Sequence, residues 1–118
     1  MDISRDELKH LIESKSNYIL IDVRNKNELV YGMIPTAHHI PLLEIKEALN
    51  MSEPDFEEKY HFKKPTKNDN IIYYCKSGGR SEIATEKTLS MGYKARNYAG
   101  STSDWAEIDQ NVKKYDLY

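Results

Sequence analysis

Apolar residues fall along this chain in short dense runs, separated by longer stretches in which they recur every three or four positions. Tyr18-Ile19-Leu20-Ile21 and Ile71-Ile72-Tyr73-Tyr74 are nearly unbroken apolar runs of strand length, the pattern of strands covered on both faces in a parallel sheet. The first leads into the charged Asp22-Val23-Arg24. The second, rich in β-branched and aromatic residues, is bounded by Asn70 and a Ser-Gly-Gly turn. Residues 37–40, closed by Pro41, and residues 93–98 predict two further strands.

Helical patterns fill the intervals. Ser4 is placed to cap a helix, with Glu7 three residues on and Ile3 ready to staple against Leu8; Leu8, Leu11 and Ile12 mark its buried face. Asn25 opens a second helix with Glu28 as its capping carboxylate, Leu29 and Val30 on its apolar side, and Gly32 as a left-handed terminal residue. Short helices are predicted over 42–49, 53–60 and 103–107, the last carrying Trp105, and 63–70 reads as a polar connection. A longer helix over 80–91 puts Ile83, Ala84, Thr88 and Met91 on one face, with Leu89 off it and Gly92 at its end. Strands separated by helices predict an α/β domain with a parallel sheet and right-handed crossovers.

A chain of 118 residues is expected to be one domain, 1–118, because two would each be too small to bury a core. With 17 Lys+Arg against 19 Asp+Glu there is no basic field to draw in nucleic acid or an anionic membrane, so an anionic substrate must be held locally. The apolar runs fall far short of the roughly 20 residues a membrane span needs. Asp2, Asp6, Glu7 and Glu13 argue against a signal or transit peptide, and a cytoplasmic location is the default expectation, with a mitochondrial one left open. One cysteine rules out an internal disulfide and a cysteine-based metal cluster, leaving Cys75 either an inert packed thiol or a lone reactive one.

Its neighbours favour reactivity. Cys75-Lys76-Ser77-Gly78-Gly79-Arg80-Ser81 lies between a buried strand and a helix, at the edge where parallel α/β sheets place ligands. The two glycines let the backbone curl so that successive N–H groups face inward as an anion-binding nest at the positive end of a helix. Those amides, with Lys76 and Arg80, favour the ionised, nucleophilic sulfur. Asp22 and Arg24 end another strand and should share that edge. His38 and His39, adjacent in a strand, point to opposite faces and make a poor metal pair; with no ligand spacing around His10 or His61, no metal or cofactor is expected.

The loop resembles the active-site loop of rhodanese-type sulfurtransferases, Cys-x-x-Gly-x-Arg-Ser. Asp22-Val23-Arg24, Glu28, and Gly32-Met33-Ile34-Pro35-Thr36-Ala37-His38-His39-Ile40-Pro41 resemble that family's other signature, and Gly100-Ser101-Thr102-Ser103-Asp104-Trp105 its late Gly-x-x-x-x-Trp element. Ser101, Thr36 and His39 depart from a glycine, a glycine and an asparagine. The stretch 47–60 and the Gly-Ser variant are most similar to the short thiosulfate sulfurtransferases of animals and fungi. The resemblance implies a three-layer α/β domain around a mostly parallel sheet of about five strands, with helices on both faces. It implies Cys75 as a nucleophile that takes sulfur from thiosulfate as a persulfide, with Lys76, Ser77, Gly78, Gly79, Arg80 and Ser81 binding the donor and Asp22, Arg24 and Trp105 supporting the site. With no second cysteine, the acceptor must be external: glutathione, a protein thiol, or cyanide. A monomer is expected.

Two rivals were open to spacing and content. Cysteine phosphatase and arsenate reductase loops of this kind place five residues between cysteine and arginine, whereas Cys75 and Arg80 enclose four, and Tyr74 stands where a histidine would precede the nucleophile. Rhodanese-like docking modules often lack the cysteine or the loop, and this chain keeps both.

Overall fold

A computed structural model describes residues 2–116. Strands β1 (Ile19–Asp22), β2 (His38–His39), β3 (Ile71–Tyr74) and β4 (Ala95–Asn97) form a parallel sheet in the order β2-β1-β3-β4. Alternation along β3 divides the core. Ile71 and Tyr73 join Ile21, Val23 and residues of helices α2 (Ile45–Asn50), α3 (Glu53–Tyr60) and α4 (Gly79–Ser90) on one side. Ile72 and Tyr74 join Leu20 and residues of α1 (Arg5–Ser14) and α5 (Ser101–Trp105) on the other. Among the described residues no helix is long and apolar enough to cross a membrane.

The sheet has four strands where about five were expected. Beyond β4 the chain makes a single bridge, Asp2 with Asn97. No fifth strand propagates, because Ile3 donates to the Asn97 carbonyl and Ser4 at once caps α1 by accepting from the Glu7 amide at 3.1 Å. Glu7 does not close a capping box; its carboxylate pairs with Arg96 of β4 at 2.8 and 3.0 Å, fastening α1 to the sheet edge.

Two expected faces are corrected. Residues Lys26–Tyr31 form a 3₁₀ helix in which Glu28 turns inward, and Val30, two positions on in a three-residue repeat, is 81% exposed. In α4 the buried strip is Ser81, Ala84, Thr85 and Thr88, small residues that let the helix lie close on β3 and β4. Ile83 therefore faces outward, 46% exposed, as does Leu89.

Candidate active site

β1, β2 and β3 all point their C-terminal ends to one edge of the sheet, and the turn from β3 into α4 is built there. Cys75 follows Tyr74 directly, and its Sγ receives the Gly78 N–H at 3.1 Å and lies 3.4 Å from Ser81 Oγ. Its own N–H donates to Ser101 Oγ at 3.0 Å. The start of α5 latches the loop from the other side: the Thr102 and Ser103 amides donate to the Cys75 and Lys76 carbonyls, each at 3.0 Å. Gly78 carries φ +96°, and a Cβ there would overlap the Ala99 carbonyl. The sequence reading asked for two permissive glycines; the geometry requires only Gly78, since a Cβ on Gly79 meets nothing within 4 Å.

Cys75 is 1% exposed, packed in the core cluster that includes Ile21, Val23 and Ala84 and wrapped on its other side by the loop. Burial by itself pushes the thiol up. The Ser81 hydroxyl and the amides of Ser81, Gly78 and Ser77 outweigh it and hold the thiol below its ordinary value of 9.0. The first turn of α4, with its unpaired N–H groups, adds to the same preference for an anion.

Beside the loop runs a ladder of alternating charge. Arg24, fully buried, is bonded to Asp22 at 2.7 to 3.0 Å and to the Gly32 carbonyl at 2.8 Å. Arg80 makes a two-pronged pair with Glu28 at 2.6 and 2.9 Å. Tyr115 joins the two pairs: its hydroxyl donates to Glu28 Oε2 at 2.8 Å and accepts from Arg24 Nη1 at 3.1 Å. Burial pushes Glu28 up, but Arg80, Tyr115 and the Asn25 amide together bring it down from 4.5 to about 2. A carboxyl lowered on folding lends stability that is full above its unfolded value and is lost as pH falls through the folded one. Between about pH 5 and about pH 2 the wild type should therefore lose urea resistance more steeply than Glu28→Gln, whose side chain does not titrate. Equal slopes for the two proteins would show that Glu28 is not held down.

The structure thus brings Cys75, Gly78, Arg80 and Ser81 into one cluster, with Ser77 exposed on the loop and the Lys76 ammonium 5.3 Å from the Tyr115 ring centre. Asp22 and Arg24 sit under the same edge, satisfied by each other. Trp105 lies in the core, edge-on to Tyr98 and bonded to Asp109 at 3.1 Å, and so anchors α5. His39 bonds the Arg24 carbonyl at 2.7 Å while His38 stacks on Phe62.

Sequence reasoning missed Tyr115, Asn97 and the role of Ser101. Asn97 steadies the turn by donating to the Gly78 carbonyl at 3.3 Å. Ser101 and Thr36, two of the departures from the family pattern, both carry positive φ, +55° and +74°, where glycine is the easy choice. Each has a bonded hydroxyl: Thr36 to Tyr18 at 2.8 Å, Ser101 to the Cys75 amide and the Tyr98 carbonyl. The signal in the sequence was the departure itself, since a non-glycine where the family pattern has glycine implies a side chain with a task; the positive φ shows what it had to offset.

The profile of a rhodanese-like domain matches residues 4–108. The chain belongs to the rhodanese-like domain family. Among its rhodanese relatives is the mouse thiosulfate sulfurtransferase/rhodanese-like domain-containing protein 3, 42% identical over 92% of this chain and 69% of that protein. Another is the human thiosulfate:glutathione sulfurtransferase, 38% identical over 89% of this chain and 92% of its own length. The solved structure of the human single-domain sulfurtransferase TSTD1 superposes with a TM-score of 0.87 at 37% identity, covering 92% of this chain and 96% of that one. This rhodanese fold is therefore shared across nearly the whole chain.

Proposed function

We propose that this chain is a thiosulfate sulfurtransferase that carries sulfur on Cys75 and works as a single, monomeric domain. The observation that carries the reading is a lone thiol held toward its anion by the Gly78 amide and the Ser81 hydroxyl at the head of α4. The names of the rhodanese relatives support the same donor and, for the human protein, glutathione as acceptor.

The Cys75 thiolate attacks the outer sulfur of thiosulfate. The S–S bond of the donor breaks, sulfite leaves with the electron pair, and Cys75 holds a persulfide. The inward amides then face the terminal sulfur, which carries the negative charge. An acceptor thiolate, from glutathione or a protein, or cyanide in an assay, attacks that sulfur and departs as a persulfide or thiocyanate, restoring the thiolate. No outside oxidant or reductant enters. Lys76 and the amides of Ser77, Gly78 and Gly79 take the donor's oxygens, while Arg80, committed to Glu28, braces the loop. Relatives from fission and budding yeast are named as mitochondrial, which supports a mitochondrial reading beside the cytoplasmic one.

Incubation with thiosulfate should add one sulfur, about 32 Da by intact mass, removable by a thiol. Turnover without that gain would sink the covalent route.

A further inference from the structure

The C-terminal segment crosses the site as a strap. Val112 is buried in the α1/α5 core, the Lys113 amide donates to the Tyr31 carbonyl at 2.9 Å, and a Cβ on Gly32 would overlap the Asn111 carbonyl. This clamping brings Tyr115 onto Tyr31, ring centres 4.1 Å apart and 7° from parallel. The same ring lies 5.3 Å from Lys76 Nζ, within cation–π reach. Among the described residues no carboxylate pairs with Lys76, whereas Arg24 and Arg80 are each neutralised by a carboxylate. The ladder Asp22, Arg24, Glu28 and Arg80 sums to zero, so among the described residues Lys76 is the loop's positive charge without a carboxylate partner. A lysine free to wander would spread its charge over many positions; the ring restricts it to the loop's Tyr115 side.

We propose that Tyr115 is a positioning residue that seats the Lys76 ammonium beside the Cys75 loop and so sets the site's preference for small anionic reactants, thiosulfate first among them. This rests on the sulfurtransferase reading of the loop. Its test does not need turnover. Because Cys75 is the only cysteine, alkylation reports on it alone, and the ratio of rates with anionic iodoacetate and neutral iodoacetamide measures the local field. Lys76→Ala should lower that ratio about three- to tenfold, Tyr115→Leu by a similar factor, and the double variant no further. Tyr115→Phe, which keeps the ring and loses the hydroxyl, should retain it. The KM for thiosulfate should rise in the same two single variants with little change in kcat.

A Tyr115→Leu ratio equal to wild type, or factors that multiply in the double variant, overturns the proposal. Should Tyr115→Leu unfold the chain, the wild type still decides: ring current should move the Lys76 ε-methylene protons upfield, and shifts of a free lysine overturn the seating. If the ratios behave as expected but Cys75 takes no sulfur from thiosulfate, the sulfurtransferase reading falls and the seating stands. Cys75 unreactive toward both reagents overturns both.

Discussion

Cys75→Ser is expected to lower thiosulfate-dependent sulfur transfer by more than about a thousandfold, with the fold intact. Serine is close to cysteine in size and keeps the same partners, the Gly78 amide and the Ser81 hydroxyl, so the loop has no reason to rearrange. An alcohol in the same cradle stays protonated at neutral pH, so it neither attacks the donor's outer sulfur nor serves as a leaving group when an acceptor takes that sulfur. The chain holds no other cysteine to take over. Steady-state transfer to cyanide or glutathione, alongside circular dichroism of both proteins, checks this. Residual activity of even a tenth of wild type would move the chemistry to another group.

The second large effect separates two adjacent glycines. Gly78→Ala should cost about 2–4 kcal/mol of stability and lower kcat/KM by about a hundredfold. The methyl would overlap the Ala99 carbonyl, a backbone atom that cannot swing away, and φ +96° is hostile to any side chain. Relief of either strain rotates the Gly78 N–H off Sγ. Gly79→Ala, one residue on and in open space within α4, should keep activity within a few-fold and gain up to about 1 kcal/mol from helix propensity. Denaturant midpoints and thiosulfate kinetics on the pair decide the matter. Equal damage at both positions would mean that the loop depends on flexibility and not on one amide's direction.

The parts of this molecule that could be read from the sequence are those whose cause is local. β3 was expected over Ile71–Tyr74 and runs there, because four buried residues in a row leave no alternative face. The Cys75 loop was readable because nucleophile, turn and helix start are contiguous. Cysteine, Gly78 and Ser81 touch within seven residues. What escaped is what closes over distance. Glu28 was taken for a capping carboxylate, and it does accept from the Asn25 amide at 3.1 Å, but its other partners are 52 and 87 positions away. No local pattern marks Tyr115, one of nine tyrosines. The misplaced faces of Val30 and Ile83 have a related origin: periodicity assigns apolar residues inward, and here a charge pair and a strip of small residues took the inward positions.

The residues that bond directly to the Cys75 turn from the far side come later in the chain than Cys75 itself. Ser101, Thr102 and Ser103 hold the Cys75 turn, and Tyr115 completes the charge ladder. On the ribosome, Cys75 emerges before Ser101 and Tyr115, so the partners that fix its turn from across the fold are not yet in place. Only when residues 101–115 have followed can those bonds close. A fragment that stops short of them carries the cysteine without the contacts that hold its turn.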